Sequence, residues 1–249
     1  MAHRQSGFTI TEVMMFLAVS GLLLAGALVG VTANINNARF NDAVRSVTSY
    51  IQGQYDQVAN GRNDREANVS CDNTAAISSL GSTPPGMTNC VVLGRFLKVE
   101  GDSFTSRYIV GYSSVPLSQL PENDVQALAS ANMRIRVASD TEGPSESFDV
   151  PWSIQSYEWY KGATVSSQPL GLAIIRSPVS GNIMYFMFPV TSGDPTPDIK
   201  SSLTSGNANK QTSICLKDTG SRKGAVVFDA GKGQDVISAN LTATAGGCS

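Results

Sequence analysis

Between Val13 and Ala33 the chain runs for 21 residues without a charge (VMMFLAVSGLLLAGALVGVTA). As a helix at about 1.5 Å per residue such a run is about 30 Å long, the thickness of a bilayer's hydrocarbon core. Gly21, Gly26 and Gly30 interrupt it. They would weaken a helix in water, but in lipid small residues let neighbouring helices approach closely. A secretory signal peptide has a shorter apolar region followed by a small-residue cleavage site. Here the run is too long and no such site follows, so a membrane span is predicted. Just before it stands Glu12, the one ionisable side chain between Phe8 and Ala33. A carboxylate in the apolar part of a membrane helix costs about 2.5–3.5 kcal/mol. Two readings of Glu12 stand: a wet residue at headgroup depth, or an acid with a cationic partner. No Lys or Arg lies between Phe8 and Asn34, so a partner within the membrane requires a new amino terminus created close by.

Composition narrows the chemistry. The only histidine is His3, which removes Ser-His-Asp and Cys-His nucleophile systems and His-ligated zinc. The four cysteines contain no CxxC pair, so a thiolate metal site is a poor reading and no cofactor is expected. Charged residues make up 15% of the chain and the net charge is −2, so nothing in the balance points to wholesale binding of nucleic acid or acidic lipid.

The opening MAHRQSG followed by FTITEV resembles the prepilin signal of type IV pilins and type II secretion pseudopilins. That signal has a short basic leader, a Gly before the cut, a Phe as first mature residue and a Glu as the fifth. Gly7, Phe8 and Glu12 occupy those places, with His3 and Arg4 in the leader. The likeness includes the apolar helix and covers about the first sixty residues. It implies that a prepilin peptidase cuts between Gly7 and Phe8 on the cytoplasmic side and methylates the Phe8 amine. It further implies that the subunit waits in the membrane and then enters a helical filament, where Glu12 pairs with a neighbour's amino terminus. The partners so implied are other pilin subunits, the peptidase and, before assembly, the membrane.

Beyond the span the pattern turns amphipathic. Phe40, Val44, Val47, Ile51, Tyr55 and Val58 recur at steps of three and four, opposite Asn41, Asp42, Arg45, Ser49, Gln52 and Asp56. Gly61 is placed to end the helix. One helix from about Phe8 to Asn60 would be about 80 Å long. Residues 62–249 then alternate turn signals with short apolar runs. Strands are predicted at 91–99, 107–112, 133–138, 170–176, 182–188 and 224–229, and helical periodicity only around Asp124 to Asn132. The expected fold is α+β and pilin-like: a leader over 1–7, a membrane-spanning helix over 8–33, its amphipathic continuation over 34–61, and a β-rich head over 62–249 packed on that continuation.

Four cysteines, all in the head, suit an oxidising compartment. Pairing Cys71 with Cys90 and Cys215 with Cys248 is one of three connectivities and closes the shortest loops; a disulfide-closed carboxyl-terminal segment also agrees with the pilin resemblance. From Lys210 to Lys232 five cations face two carboxylates. Within it GSRKGAVVF, through Gly220, Arg222 and Gly224, resembles the carboxyl-terminal region of GspH/FimT-type minor pseudopilins, some of which bind DNA. That resemblance offers Lys217, Arg222 and Lys223 as DNA contacts, against the plainer reading of a solvated loop. Trp152, Tyr157, Trp159 and Tyr160 make either a stacking surface or alternate packing residues. The acidic segments 62–72 and 194–198 lack calcium-loop spacing and read as loops. Asn68 and Asn240 head glycosylation sequons, a pattern frequent by chance. The expected role is a non-enzymatic structural subunit of a type IV pilus or related filament, with the head's length favouring a minor pilin or pseudopilin, or an unusually large pilin. The alternative is a minor pilin whose head binds DNA or a cell surface. A membrane-anchored enzyme is disfavoured for want of a nucleophile-and-base motif.

Overall fold

Residues 43–59 of the first helix bury Val44, Val47, Ile51, Gln54 and Val58. This is an unbroken three-four-three-four stripe with a glutamine inside it. The computed structural model describes residues 9–61, 70–78, 90–139, 142, 145–162, 164–191, 193–205, 208–220, 222–229, 236–241 and 248. The chain divides into two compact units, residues 1–42 and 43–249. Helix α1 (Ile10–Ala59) begins in the first and ends in the second. In the first unit its large apolar side chains are exposed: Met14, Phe16, Leu17, Leu22, Leu23 and Val29 each show more than half their surface. The helix is long and apolar enough to cross a membrane. Gly61 ends it in the left-handed region at φ +62°, its N–H bonded back to the Val58 carbonyl, a turn that a β-carbon disfavours.

The second unit is built on two antiparallel sheets. Strands β1 (Ser70–Cys71) and β2 (Ile77–Ser78) form a minor pair. The first large sheet has the order β10-β9-β3-β4-β5, from β3 (Cys90–Glu100), β4 (Ser103–Ser113), β5 (Met133–Val137), β9 (Leu170–Arg176) and β10 (Ile183–Pro189). Strand β6 (Glu146–Asp149) pairs with the other half of β4. The second sheet has the order β13-β12-β11-β7-β8, from β7 (Gln155–Lys161), β8 (Thr164–Ser166), β11 (Thr212–Lys217), β12 (Lys223–Phe228) and β13 (Ile237–Asn240). Helices α2 (Asp124–Ala129) and α3 (Thr196–Thr204) complete it. All six predicted strands lie within or across observed ones, whereas β6, β7, β8, β11 and β13 were not anticipated. Their sequences (ESFD, QSYEWYK, TVS, TSICLK, ISAN) are short or polar and give little alternation. The segment 194–198, expected as a loop, instead opens α3. Pro195 and Pro197 set helical φ where no amide donor is needed, and Asp194 Oδ1 accepts the Thr196 N–H at 2.9 Å.

Strand β3 is buried on both faces, which is why it reads as an apolar run rather than an alternation. Phe96 on one face joins Ile109, Leu128, Ile135, Phe186, Ile199 and other residues in the core beneath α2 and α3. Gly94 sits at a register shift in β3, where an added β-carbon would lie 1.9 Å from the Ile174 carbonyl oxygen. Alternation puts Arg95 on the opposite face, toward α1. Arg95 is 3% exposed. Its Nη2 donates to Gln57 Oε1 at 2.7 Å and Tyr108 Oη at 3.2 Å, and lies 3.5 Å from Glu146 Oε1. The guanidinium also covers the Tyr108 ring at 3.9 Å. Gln54 donates to Glu146 Oε2 at 2.8 Å and accepts from Ser106 at 2.7 Å. Tyr50 stacks on Phe148 at 4.7 Å, and burial, with Glu146 nearby, pushes its hydroxyl up to about 12, keeping it protonated. The buried stripe therefore runs through Gln54 rather than the expected Tyr55, which is half-buried; a polar residue that finds its partners only in the sheet is invisible to hydrophobic periodicity.

Replacing Arg95 with Met keeps the length and volume of the side chain but leaves Gln57 and Glu146 short of a donor. The expected loss is about 2–4 kcal/mol, read as a lower denaturation midpoint in urea; an unchanged midpoint would show that the helix is held by apolar packing alone.

Candidate functional site

Thr9 and Glu12 stand three apart at the start of α1, the spacing at which a residue preceding a helix and the third residue inside it reach each other. Thr9 Oγ1 accepts the Glu12 N–H at 3.3 Å. Glu12 Oε2 accepts the Thr9 N–H at 3.0 Å and its hydroxyl at 2.9 Å. This is a reciprocal capping box. Its signature, Thr-x-x-Glu, is legible in the sequence from Thr9 to Glu12. The carboxylate also lies where the helix dipole favours negative charge. Among the described residues no cation pairs with it. Gly7 and Phe8, the residues expected to flank the cut, lie outside the described residues. From Val13 to Ile35 the helix presents apolar side chains on every face, and nothing lies within 4 Å of the β-carbon positions of Gly21, Gly26 and Gly30. Thr32 returns its hydroxyl to the Leu28 carbonyl at 2.9 Å, satisfying its own donor inside the apolar segment.

The basic segment is partly assembled. Lys217 and Lys223 are direct partners across β11 and β12, their ammoniums 5.0 and 5.8 Å from the centre of the Tyr157 ring. Like charges opposite one another are unfavourable, and the aromatic face offsets this by about 0.5–1 kcal/mol per contact. Arg222 does not join them as a free cation. Its Nε donates to Asp218 Oδ2 at 2.7 Å and its backbone N–H to Oδ1 at 2.8 Å, closing the hairpin turn.

Disulfides join Cys71 to Cys90 and Cys215 to Cys248. Cys215 and Cys248 form a small core with Ala225 and Val227, against which Tyr157 and Tyr160 pack. The two tyrosines share that face because β7 shifts register against β11 between Ser156 and Glu158, leaving Tyr157 as the extra residue. Trp159 is buried, its indole N–H bonded to the Gln168 carbonyl at 3.1 Å. Trp152 is 52% exposed, on a turn where it and Ser153 both have positive φ. The four aromatics thus divide into packing residues and one outward-facing tryptophan. Among the described residues no three His, Cys, Asp or Glu side chains gather to hold a metal ion.

Residues 2–28 match the family model of the prokaryotic N-terminal methylation motif. The chain carries a type IV pilin-like prepilin N-terminus. The motif suggests a pilin-type substrate of prepilin peptidase, fits a membrane-anchored precursor and implies assembly with other pilin subunits. No curated protein and no solved structure matches the chain. The likeness of the 220–228 segment to GspH/FimT-type pseudopilins has no support from these comparisons.

Thr9→Val removes the cap while leaving Glu12 in place. The cap is worth about 1 kcal/mol, so amides of residues 10–13 in detergent micelles should exchange about fivefold faster than in the parent; equal protection would mean that the capping box does not order the helix start.

Proposed function

We propose that this protein is a minor pilin or pseudopilin: a non-catalytic filament subunit cut between Gly7 and Phe8 and N-methylated on Phe8. The observation that carries this reading is the methylation motif running directly into a helix whose apolar side chains are exposed and whose first turn holds a single acid. In a bundle of such helices Glu12 is a charge without a counter-ion. An ammonium in low dielectric is attracted far more strongly than in water, whereas an acid left alone there is costly. The α-amine released at Phe8 on an adjacent subunit is the counter-ion that processing creates. One Glu12 oxygen is engaged by Thr9, so the acid is oriented before assembly. The two disulfides suit an oxidising, extracytoplasmic setting, in keeping with a head displayed at the cell surface on a pilus. A head of this length fits a minor rather than a compact major subunit.

Gly7→Ala should leave full-length precursor in the membrane, seen as an unshifted band and an amino terminus still at Met1; normal cleavage would overturn the assigned cut. Glu12→Ala should be cleaved normally but missing from sheared surface filaments, and filament incorporation equal to the parent's would remove the pairing role.

A second reading concerns the head. The Lys217 and Lys223 pair flanking the Tyr157 ring favours a contact with DNA phosphates or an anionic cell surface, with Arg222 acting through the hairpin turn. The full-length protein in detergent should then bind duplex DNA at low salt, with affinity falling as salt rises. Lys217→Ala with Lys223→Ala should abolish it, and absence of binding at low salt retires the DNA version.

A further inference from the structure

We propose that the cleft between the end of β7, strand β10 and helix α3 is a binding site for a carboxylate-bearing sugar of the uronate class. The cleft has a volume of about 530 Å³, within the roughly 300–1,000 Å³ of small-molecule sites. It lies wholly in the head, so it stands apart from the assembly reading of the amino-terminal helix.

Charge argues for an anion. Lys161, the last residue of β7, donates from Nζ to the Met187 carbonyl at 2.8 Å, which leaves two of its N–H groups for a ligand. Lys210 lines the same cleft and is close enough to lower the Lys161 pKa. Burial, with that second cation, brings Lys161 down to about 8, so it is still mostly charged at neutral pH. Among the described residues neither ammonium has a carboxylate within ion-pair reach. Among the described residues the one carboxylate in the wall, Asp198, is held by the Thr191 N–H at 3.1 Å and the Thr191 hydroxyl at 2.8 Å. Two neighbouring cations with no anion between them are a repulsion that a bound carboxylate would relieve.

A hydroxyl argues for a polyol. Ser202 lines the cleft and is 5% exposed, and among the described residues its buried Oγ has no hydrogen-bond partner. An unmade buried hydrogen bond costs about 1–3 kcal/mol, and a ligand hydroxyl reaching Ser202 would recover it. Ser201, Ser205 and Thr164 add donors and acceptors, and the Asp198 carboxylate can accept from a second ligand hydroxyl. Pro189, half-buried at the end of β10, gives the wall an apolar strip, suited to the C–H face of a pyranose ring. A bare phosphate would use the two lysines and leave Ser202 and the apolar strip without a role.

The test is titration calorimetry on the full-length protein in a sugar-free zwitterionic detergent, with sodium glucuronate, glucose and inorganic phosphate as probes. Glucuronate should bind saturably, with glucose and phosphate each weaker by about tenfold or more, the equivalent of about 1.4 kcal/mol. Lys210→Met, which removes a side chain without a partner, should weaken glucuronate by about tenfold while leaving the melting temperature unchanged, and Ser202→Ala should weaken glucuronate but not phosphate. Lys161→Met should act in the same sense; because it also breaks the bond to Met187, Lys210→Met decides the matter if the Lys161 variant does not fold. No saturable binding of glucuronate, phosphate binding as tight as glucuronate, or full affinity in Lys210→Met would each overturn the proposal.

Discussion

An apolar helix surface that no described residue covers is the constraint that governs this protein. From Val13 to Ile35 the side chains of α1 are exposed on all sides. Each large aliphatic left in water forgoes about 1.5–3 kcal/mol of burial, so the segment has to be enclosed by lipid or by helices of other subunits. Lipid and a filament core satisfy the apolar residues equally well; they differ in what they offer Glu12. At a membrane edge water and the Thr9 cap suffice. In a bundle a fixed positive charge is needed, which is the part proposed for the processed amino terminus of a neighbouring helix.

The distal half of the same helix answers a different problem. Residues 43–59 are covered by the first sheet, and the contact is not purely apolar. Gln54, Gln57, Arg95, Ser106, Tyr108 and Glu146 meet between helix and sheet, flanked by Tyr50 on Phe148. Apolar contacts tolerate sliding, but hydrogen bonds of fixed length do not. The network thus specifies the register of helix on sheet, and Arg95 brings its charge into that contact only because Gln57, Tyr108 and Glu146 receive it.

Much of the architecture was legible because it rests on local patterns. The uncharged run, the acid before it, the three-four stripe and the apolar runs of the doubly buried strands β3, β9 and β10 each lie within one element. What escaped notice has non-local causes. Strand β7 is polar because it is only partly covered, while β11 buries Thr212 and Ser213 together with its apolar residues. Helix α3 begins at two prolines that read as a loop until the chain continues past them. Gln54 belonged to neither face of the sequence pattern, because its partners Ser106 and Glu146 come to it from the sheet.

From the sequence alone come the membrane-length helix, the prepilin-like start and the place of the single acid, since each depends only on the order of residues along one segment. Tertiary structure decided the rest. It set Lys217 against Lys223 over Tyr157, turned Arg222 onto Asp218, and directed Trp152 outward while burying Trp159. It also brought Lys161, Asp198, Ser202 and Lys210 to one cleft. These residues are far apart or differently placed in the chain, and only the pairing of strands and the packing of sheet, strand and helix determine which side chains share a space and which charges are left without a partner.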